Sequence, residues 1–391
     1  MQRYVPDAPR TSLMGRAVRT LLLLVVIAVL AWHIAEGWSI ATWIGEDYLT
    51  ATAPSPVADA AIIGIEADRV TLRQLATADL DVATPGVFGF ATEDFYLRLG
   101  EVVSYGQTDV TRTYETVEGA QPVIGEFGHL DLMARPWSAL ESVGLYEATY
   151  TGPLGEMDQL AIDGSGTWVI HVHDHLAGPD QAVPLMAALA ATGVSQRSIT
   201  YRNDPGQPSD AGGRFTFGVE ERDDLEAAVA SARASGAERV FLVGYGTGGA
   251  VVMAQVYRDL DITGAILDSP AIDAENAVDV AVSTGRTGLL GITAGTATKL
   301  GSVLAAVRYD VDWQTANYLS RAGQLGVPVL VIHAVDDVDH PVADSRALAL
   351  EKPERVRLIE IEDAGTGLAW NTDPALYESS VLEFVDGLVV P

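Results

Sequence analysis

From residue 160 onward, apolar strand-like runs alternate with helical patterns, and this alternation constrains the fold more than any other feature. The strand-like runs fall at 167–172, 198–201, 240–243, 264–267, 327–332 and 357–361. Helical patterns at 181–192, 220–235, 247–260, 344–350 and 374–388 separate or follow them, and Gly236 ends the second. Buried strands alternating with helices predict an α/β fold, with a mostly parallel sheet covered by helices on both faces. A first run at 144–151 opens this domain, which is expected to span 144–388. The Gly- and Ala-rich stretch 271–325 breaks the alternation and reads as a lid-like insertion over the carboxyl edge of the sheet. Residues 61–143 have a different grain, with short β-like runs such as 61–65 and 70–75 punctuated by Gly and Pro. They read as an N-terminal β-rich region without a recognisable motif.

The amino terminus adds a second constraint. Arg3, Arg10, Arg16 and Arg19 precede an uncharged stretch, 20–35, that Glu36 ends. Basic residues before it and acidic ones after it (Glu36, Glu46, Asp47) place 1–19 in the cytoplasm and the bulk of the chain outside. As a helix the uncharged stretch spans roughly 24 Å, short of a ~30 Å hydrocarbon core. Arg19 can snorkel, and Trp32, Trp38 and Trp43 suit the outer interface, so 20–43 is expected to be a transmembrane signal-anchor. A cleaved signal, with Ser39-Ile40-Ala41 as small residues for processing, is the alternative and would leave a secreted protein. Residues 44–60, small and Pro-containing at 50–60, read as a linker.

Of 24 basic residues only Lys299 and Lys352 are lysines, and 53 acidic residues bring the formal net charge to −29. That balance excludes nucleic acid as the main partner, because phosphate neutralisation needs clustered cations. The absence of cysteine removes disulfides, thiolate metal sites and cysteine nucleophiles.

Residues 239–250, Arg-Val-Phe-Leu-Val-Gly-Tyr-Gly-Thr-Gly-Gly-Ala, lay out a strand, a tight Gly-rich turn and a helix start. This is the arrangement of a nucleophile elbow, G-x-S-x-G, in which a strained turn exposes a serine above a sheet. Gly244 and Gly248 hold the flanking positions, and Gly246 stands where the serine belongs. Together with Trp168 to His173, Tyr201 to Asp204, Leu267 to Pro270, His333 to Asp337 with Pro341, and Trp370-Asn371 with Asp373-Pro374, the segment resembles the α/β-hydrolase superfamily. It is most similar to a bacterial, membrane-anchored serine-hydrolase-like subgroup, over about residues 144–388.

The resemblance implies a Ser, Asp, His triad in that chain order. The acid falls on Asp337, with Asp336 as the adjacent alternative, and the base on Thr366, four residues before Trp370. No histidine follows His340, so no small shift in alignment restores the base. The oxyanion loop, ordinarily His-Gly, reads His173-Asp174. A carboxylate there would oppose a developing oxyanion if it points inward. Thr247 would contribute its backbone N–H to the oxyanion hole, and its hydroxyl is a poor substitute nucleophile without a base. His173, His175, Tyr245 and His340 are expected to line the pocket.

Imidazole and carboxylate on these loops suit Zn²⁺ or Mn²⁺, but their spacing matches no complete ligand motif, and neither metal nor cofactor is assigned. The Gly-rich turn lacks the lysine of a phosphate-binding loop. The expectation is therefore a membrane-anchored, extracytoplasmic α/β-hydrolase-fold protein with a degenerate triad. It would bind a small molecule or protein partner, its identity open, rather than catalyse. The alternative is an active hydrolase of ester, thioester or peptide bonds using Asp337 with loop histidines, with or without a metal.

Overall fold

The computed structural model describes residues 13–50, 58–76, 80–259, 261–285 and 295–389. The chain begins with one long helix, α1 (Leu13–Trp43), which ends in a π-helical turn, Ile44–Tyr48. By length and composition it is apolar enough to cross a membrane. Its two halves differ. Leu21, Leu22, Leu23, Leu24, Val25, Val26, Ile27 and Leu30 all stand exposed, whereas Glu36, Ile40, Ala41, Ile44 and Leu49 are fully buried.

The second half of α1 packs on α7 (Gly295–Tyr309). Small residues permit the close approach. A Cβ on Gly37 would come within 2.8 Å of Leu300 Cγ, and one on Gly301 would overlap Ile40. Polar contacts run along the same seam. His33 Nε2 and Thr296 Oγ1 are 3.0 Å apart, and Arg308 donates to Thr42 Oγ1 at 2.7 Å and to Glu46 Oε1 at 3.2 Å. The first residues of the expected 44–60 linker are therefore built into the domain. Ile44, Gly45, Tyr48 and Leu49 are buried, and the Leu49 carbonyl accepts from Phe215 N–H at 2.8 Å. Isoleucine, leucine and tyrosine at these positions supply apolar area that the domain covers. Residues 51–57 lie outside the described residues.

Residues 60–131 close into a six-stranded antiparallel barrel: β1 (Ala60–Ile65), β2 (Arg69–Gln74), β3 (Phe88–Ala91), β4 (Phe95–Tyr105), β5 (Asp109–Gly119) and β6 (Phe127–Asp131). Their order around the barrel is β1-β2-β5-β4-β3-β6. Alternation of Val70 and Leu72, and of Phe95, Leu97 and Leu99, fills the interior with one face of each strand. Leu368, from the other domain, packs into the same cluster. Asn371 fixes the junction: its side chain donates to Val87 O at 2.8 Å and Leu132 O at 2.9 Å, and its carbonyl accepts from Val87 N–H at 2.8 Å. Closure leaves no open edge for β-pairing.

After α2 (Trp137–Ser142) come β7 (Tyr146–Gly152), β8 (Gly155–Ile162), β9 (Thr167–Val172), α3 (Val183–Ala190), β10 (Ser195–Ile199), α4 (Arg222–Ala234), β11 (Arg239–Tyr245), α5 (Gly248–Val256) and β12 (Gly264–Asp268). Then follow α6 (Ala274–Gly285), α7, β13 (Val329–Asp336), α8 (Val342–Glu351), β14 (Val356–Gly365), α9 (Ala369–Thr372) and α10 (Pro374–Val389). The eight strands order as β14-β13-β12-β11-β9-β10-β8-β7. Neighbours from β14 to β10 are parallel, and β8 and β7 add on antiparallel. Central strands β9, β11 and β12 are apolar almost throughout and buried, as a sheet covered on both faces requires. Residues of α4, α5 and α8 pack on one face, and residues of α3 and α10 on the other. Parallel register gathers the strand ends at one edge: Gly244 pairs with Val172 and Leu267, Tyr245 with Asp268, and Asp336 with Gly365.

Candidate functional site

The elbow forms as its glycines dictate. Gly246 sits at φ +51°, a left-handed conformation, between β11 and α5. A Cβ on Gly244 would lie 2.6 Å from Gly248 O, and one on Gly248 would overlap Val172 O, so the turn closes only without side chains there. Gly246 N–H donates to Asp268 O at 2.9 Å.

The space a nucleophile would occupy is filled. A Cβ on Gly246 would overlap Asp174 Oδ2, with His340 Cε1 3.0 Å away. Asp174 comes from the loop after β9. Its Oδ2 accepts from Thr247 N–H at 2.9 Å, and its Oδ1 accepts from Leu176 N–H at 3.0 Å and lies 3.2 Å from His175 Nδ1. The aspartate thus points inward and takes the N–H that an oxyanion would use. Burial alone would raise the Asp174 carboxyl. The bonds and charge of His175, with His340 and Leu176 N–H, more than offset it and hold the group well below the usual carboxylate range.

At the end of β13, Asp337 is wholly buried as a side chain. Its Oδ1 accepts from Thr366 Oγ1 at 2.9 Å and from the N–H groups of Asp339 and His340 at 2.8 Å each. Thr366 therefore stands against the acid, where a triad base would stand, and its hydroxyl also accepts Val338 N–H at 3.1 Å. Asp337 Oδ2 has no hydrogen-bond partner, and His340 Nδ1 lies 3.9 Å from it, too far for a bond.

A cavity of about 350 Å³ opens above this edge. Asp174, His175, Tyr245, Gly246, His340 and Thr366 line it, as do Asp268 and Asp339, which the motif reading did not assign to the site. Trp43 and Tyr48 from the end of α1, Leu132 from the barrel exit, and Ala281 and Thr284 from α6 complete distant parts of the wall. Burial pushes the Asp268 carboxyl up to about 7, despite the bond it accepts from Tyr377 OH at 2.9 Å. Burial likewise raises Asp339.

The histidines divide. His175 forms the wall: Nε2 bonds Tyr48 O at 2.8 Å, Nδ1 lies 3.1 Å from Thr247 Oγ1, and the ring stacks on Phe215. Thr247 is buried, and its hydroxyl also accepts His175 N–H, so it is not presented to the cavity. His173, expected in the pocket, is not among its lining residues. Its Nε2 bonds Asp204 Oδ2 at 2.9 Å, its Nδ1 bonds Asp174 O at 2.7 Å, and it stacks on Tyr201. Burial would lower its pKa, but the Asp204 carboxylate holds it above the usual value. A strand-end histidine with a carboxylate partner braces the loop, as Arg202 does through Asp224 at 2.7 Å. Among the described residues no group of three or more His, Asp or Glu side chains is placed to hold a metal ion.

Comparison with known proteins gives the fold. An esterase from Pyrococcus furiosus superposes over 68% of this chain and 98% of its own, at 18% identity and a TM-score of 0.51. A bacterial membrane phospholipase A superposes over 66% of this chain and 92% of its own, at 16% identity and a TM-score of 0.46. The chain has an α/β-hydrolase fold, to which the closed six-stranded barrel is joined. A family described as a domain of unknown function (DUF8805) matches residues 61–131, the extent of that barrel. No curated protein sequence matches the chain.

Proposed function

We propose that this protein is a membrane-anchored, extracytoplasmic member of the hydrolase fold that binds a ligand in its cavity and does not turn over esters by serine chemistry. The observation that carries this reading is the Asp174 carboxylate, seated over Gly246 and on Thr247 N–H. An ester's carbonyl oxygen would meet a fixed negative charge in place of donors, which raises the barrier instead of lowering it. Gly246 offers no nucleophile, and the Thr366 hydroxyl, donating to Asp337, cannot take up a proton near neutral pH as an imidazole would. Thr366 donates one of the three bonds that Asp337 Oδ1 accepts and supplies no base.

The anchored form is favoured over a cleaved signal because Ala41 and its neighbours Gly37 and Ile40 are buried on α7. Cleavage after Ala41 would strip that seam and leave the apolar side of α7 bare. Residues 271–325 act as a lid in this reading, since α6 supplies Ala281 and Thr284 to the cavity wall.

The test is hydrolysis of short-chain p-nitrophenyl esters by the full chain in lipid nanodiscs, beside an Asp337→Asn variant, each with and without EDTA. The expected result is that all four match buffer. Turnover that disappears in Asp337→Asn would overturn the reading. It would favour the alternative of an active hydrolase, whose supporting observation is His340, set between Asp337 and the space above Gly246.

A further inference from the structure

We infer that the outer leaflet of the bilayer covers α7 as well as α1, so that Val303 and Val307 of the 271–325 insertion lie among lipid headgroups. This inference rests on the anchored reading above and extends it to a second helix. It starts from the seam between the two helices. His33 meets Thr296, Gly37 meets Leu300, Thr42 meets Arg308 and Gly45 meets Tyr309. The contacts climb both helices together, so α7 runs parallel to α1 and its amino end lies level with His33. That level falls within the uncharged stretch 20–35 of the anchor.

The heights follow from helix geometry. A hydrocarbon core of ~30 Å takes about 20 helical residues, and counted outward from Arg19 it ends near Ser39. The uncharged stretch alone is shorter than this, so the core reaches the part of α1 that α7 flanks. By the same rise Val303 falls level with about Ile40, and Val307 lies about 6 Å farther out. The headgroup layer beyond the hydrocarbon is about 5–7 Å deep. The surfaces match these heights. Val303 is 58% and Val307 83% exposed, one turn apart on one side of α7, while Ile34 and Trp38 of α1 are 62% and 56% exposed. Scattered apolar residues on a surface need no explanation, but these continue the exposed apolar run 21–30 outward on both helices. Trp38 also suits an interface. Lys299, one turn closer to the bilayer, is paired with Asp279 Oδ2 at 2.6 Å and Glu275 Oε1 at 3.2 Å, and its stem is long enough to snorkel. α6 packs on α7 and gives Ala281 and Thr284 to the cavity wall, so that wall is held against the membrane surface.

The chain has no cysteine, so a single introduced one carries a spin label without background. Leu24→Cys, Val303→Cys, Val307→Cys and Leu350→Cys all change exposed side chains. Leu350 stands at the end of α8, toward the edge of the sheet opposite the cavity. Each labelled full chain is placed in phosphatidylcholine nanodiscs. Collisions of the label with oxygen, which partitions into lipid, are compared with collisions with a nickel chelate, which stays in water. The ratio of oxygen to nickel access is expected to fall in the order 24, 303, 307, 350, with 303 well above 350. If 303 and 307 match 350 while 24 stays high, the anchor stands and the inference is overturned. If 24 also matches 350, the anchored reading fails and takes the inference with it. Low access of both reagents at 303, with labels broadening one another, would show a second copy on this face in place of lipid, and also overturns it.

Discussion

The elbow after β11 and the acid loop after β13 depart from the serine-hydrolase pattern in opposite ways. At the elbow the backbone is intact: Gly246 keeps its left-handed φ, and Thr247 N–H points where an oxyanion hole needs it. Gly246 carries no side chain, and the Asp174 carboxylate occupies the space above it. At the acid loop the side chain is intact, since Asp337 remains, buried and triply bonded through one oxygen. Its side-chain partner there is the Thr366 hydroxyl, not an imidazole. The difference teaches that backbone geometry and side-chain identity are independent: one strand end keeps the turn without a hydroxyl, and the next keeps a carboxylate without an imidazole beside it.

The sharpest break of that comparison is to restore the elbow's chemistry. Gly246→Ser with Thr366→His should stay silent on p-nitrophenyl esters, because a serine Cβ overlaps Asp174 Oδ2. Adding Asp174→Gly should free Thr247 N–H and raise esterase turnover over the double variant by ~10² or more, the order that one oxyanion contact commands. A silent triple variant would mean that the elbow's geometry is itself unfit.

The next effect concerns the wall that α1 lends to the site. Gly301→Leu forces a side chain into Ile40 and should cost about 1–3 kcal/mol, read as a fall in melting temperature of the full chain in nanodiscs. An unchanged melting temperature would show that α1 is not docked as described.

A smaller effect is pH-dependent. Asp268, its carboxyl pushed up to about 7 by burial, binds its proton more tightly folded than unfolded. Its contribution is therefore most favourable below the unfolded value of 3.8 and is lost as pH rises toward about 7. Facing it are Tyr377, which donates to it, together with Ser269, Asp337 and Tyr245. Asp268→Asn removes this liability, so its stabilising effect should be larger at pH 8 than at pH 5. Equal effects at both would place the titration elsewhere. Smallest of all, Asp337→Asn should change stability by no more than about 1 kcal/mol in thermal melts, because an amide oxygen still accepts the same three bonds.

The parallel sheet was legible because its signal is local: six apolar runs at strand length, five of them followed by a helical period, leave little choice of class. The elbow was legible because tight turns demand glycine at named positions, and Gly244, Gly246 and Gly248 meet that demand. The inward aim of Asp174 was legible only as a conditional, since a loop side chain's direction depends on partners 73 residues away, here Thr247 N–H. His173 misled because its place on the oxyanion loop does not fix where its side chain turns, and the ring turns to Asp204 and Tyr201 instead of the cavity. Trp43 and Tyr48 gave no usable signal, because aromatics after an apolar helix also suit a membrane interface. Barrel closure at 60–131 needs the long-range pairing of β1 with β6, which no local pattern specifies.

Because α1 passes without a break into the π-helical turn that ends at Tyr48, the exposed apolar stretch and part of the cavity wall belong to one continuous helical segment. From Trp32 to Tyr48 the helix rises about 24 Å at 1.5 Å per residue. With the apolar stretch in a bilayer, the cavity is held at a set height and heading over the surface, like a cup on a fixed stem. A ligand confined to that surface need search only in two dimensions, and one arriving from bulk gains nothing from the stem.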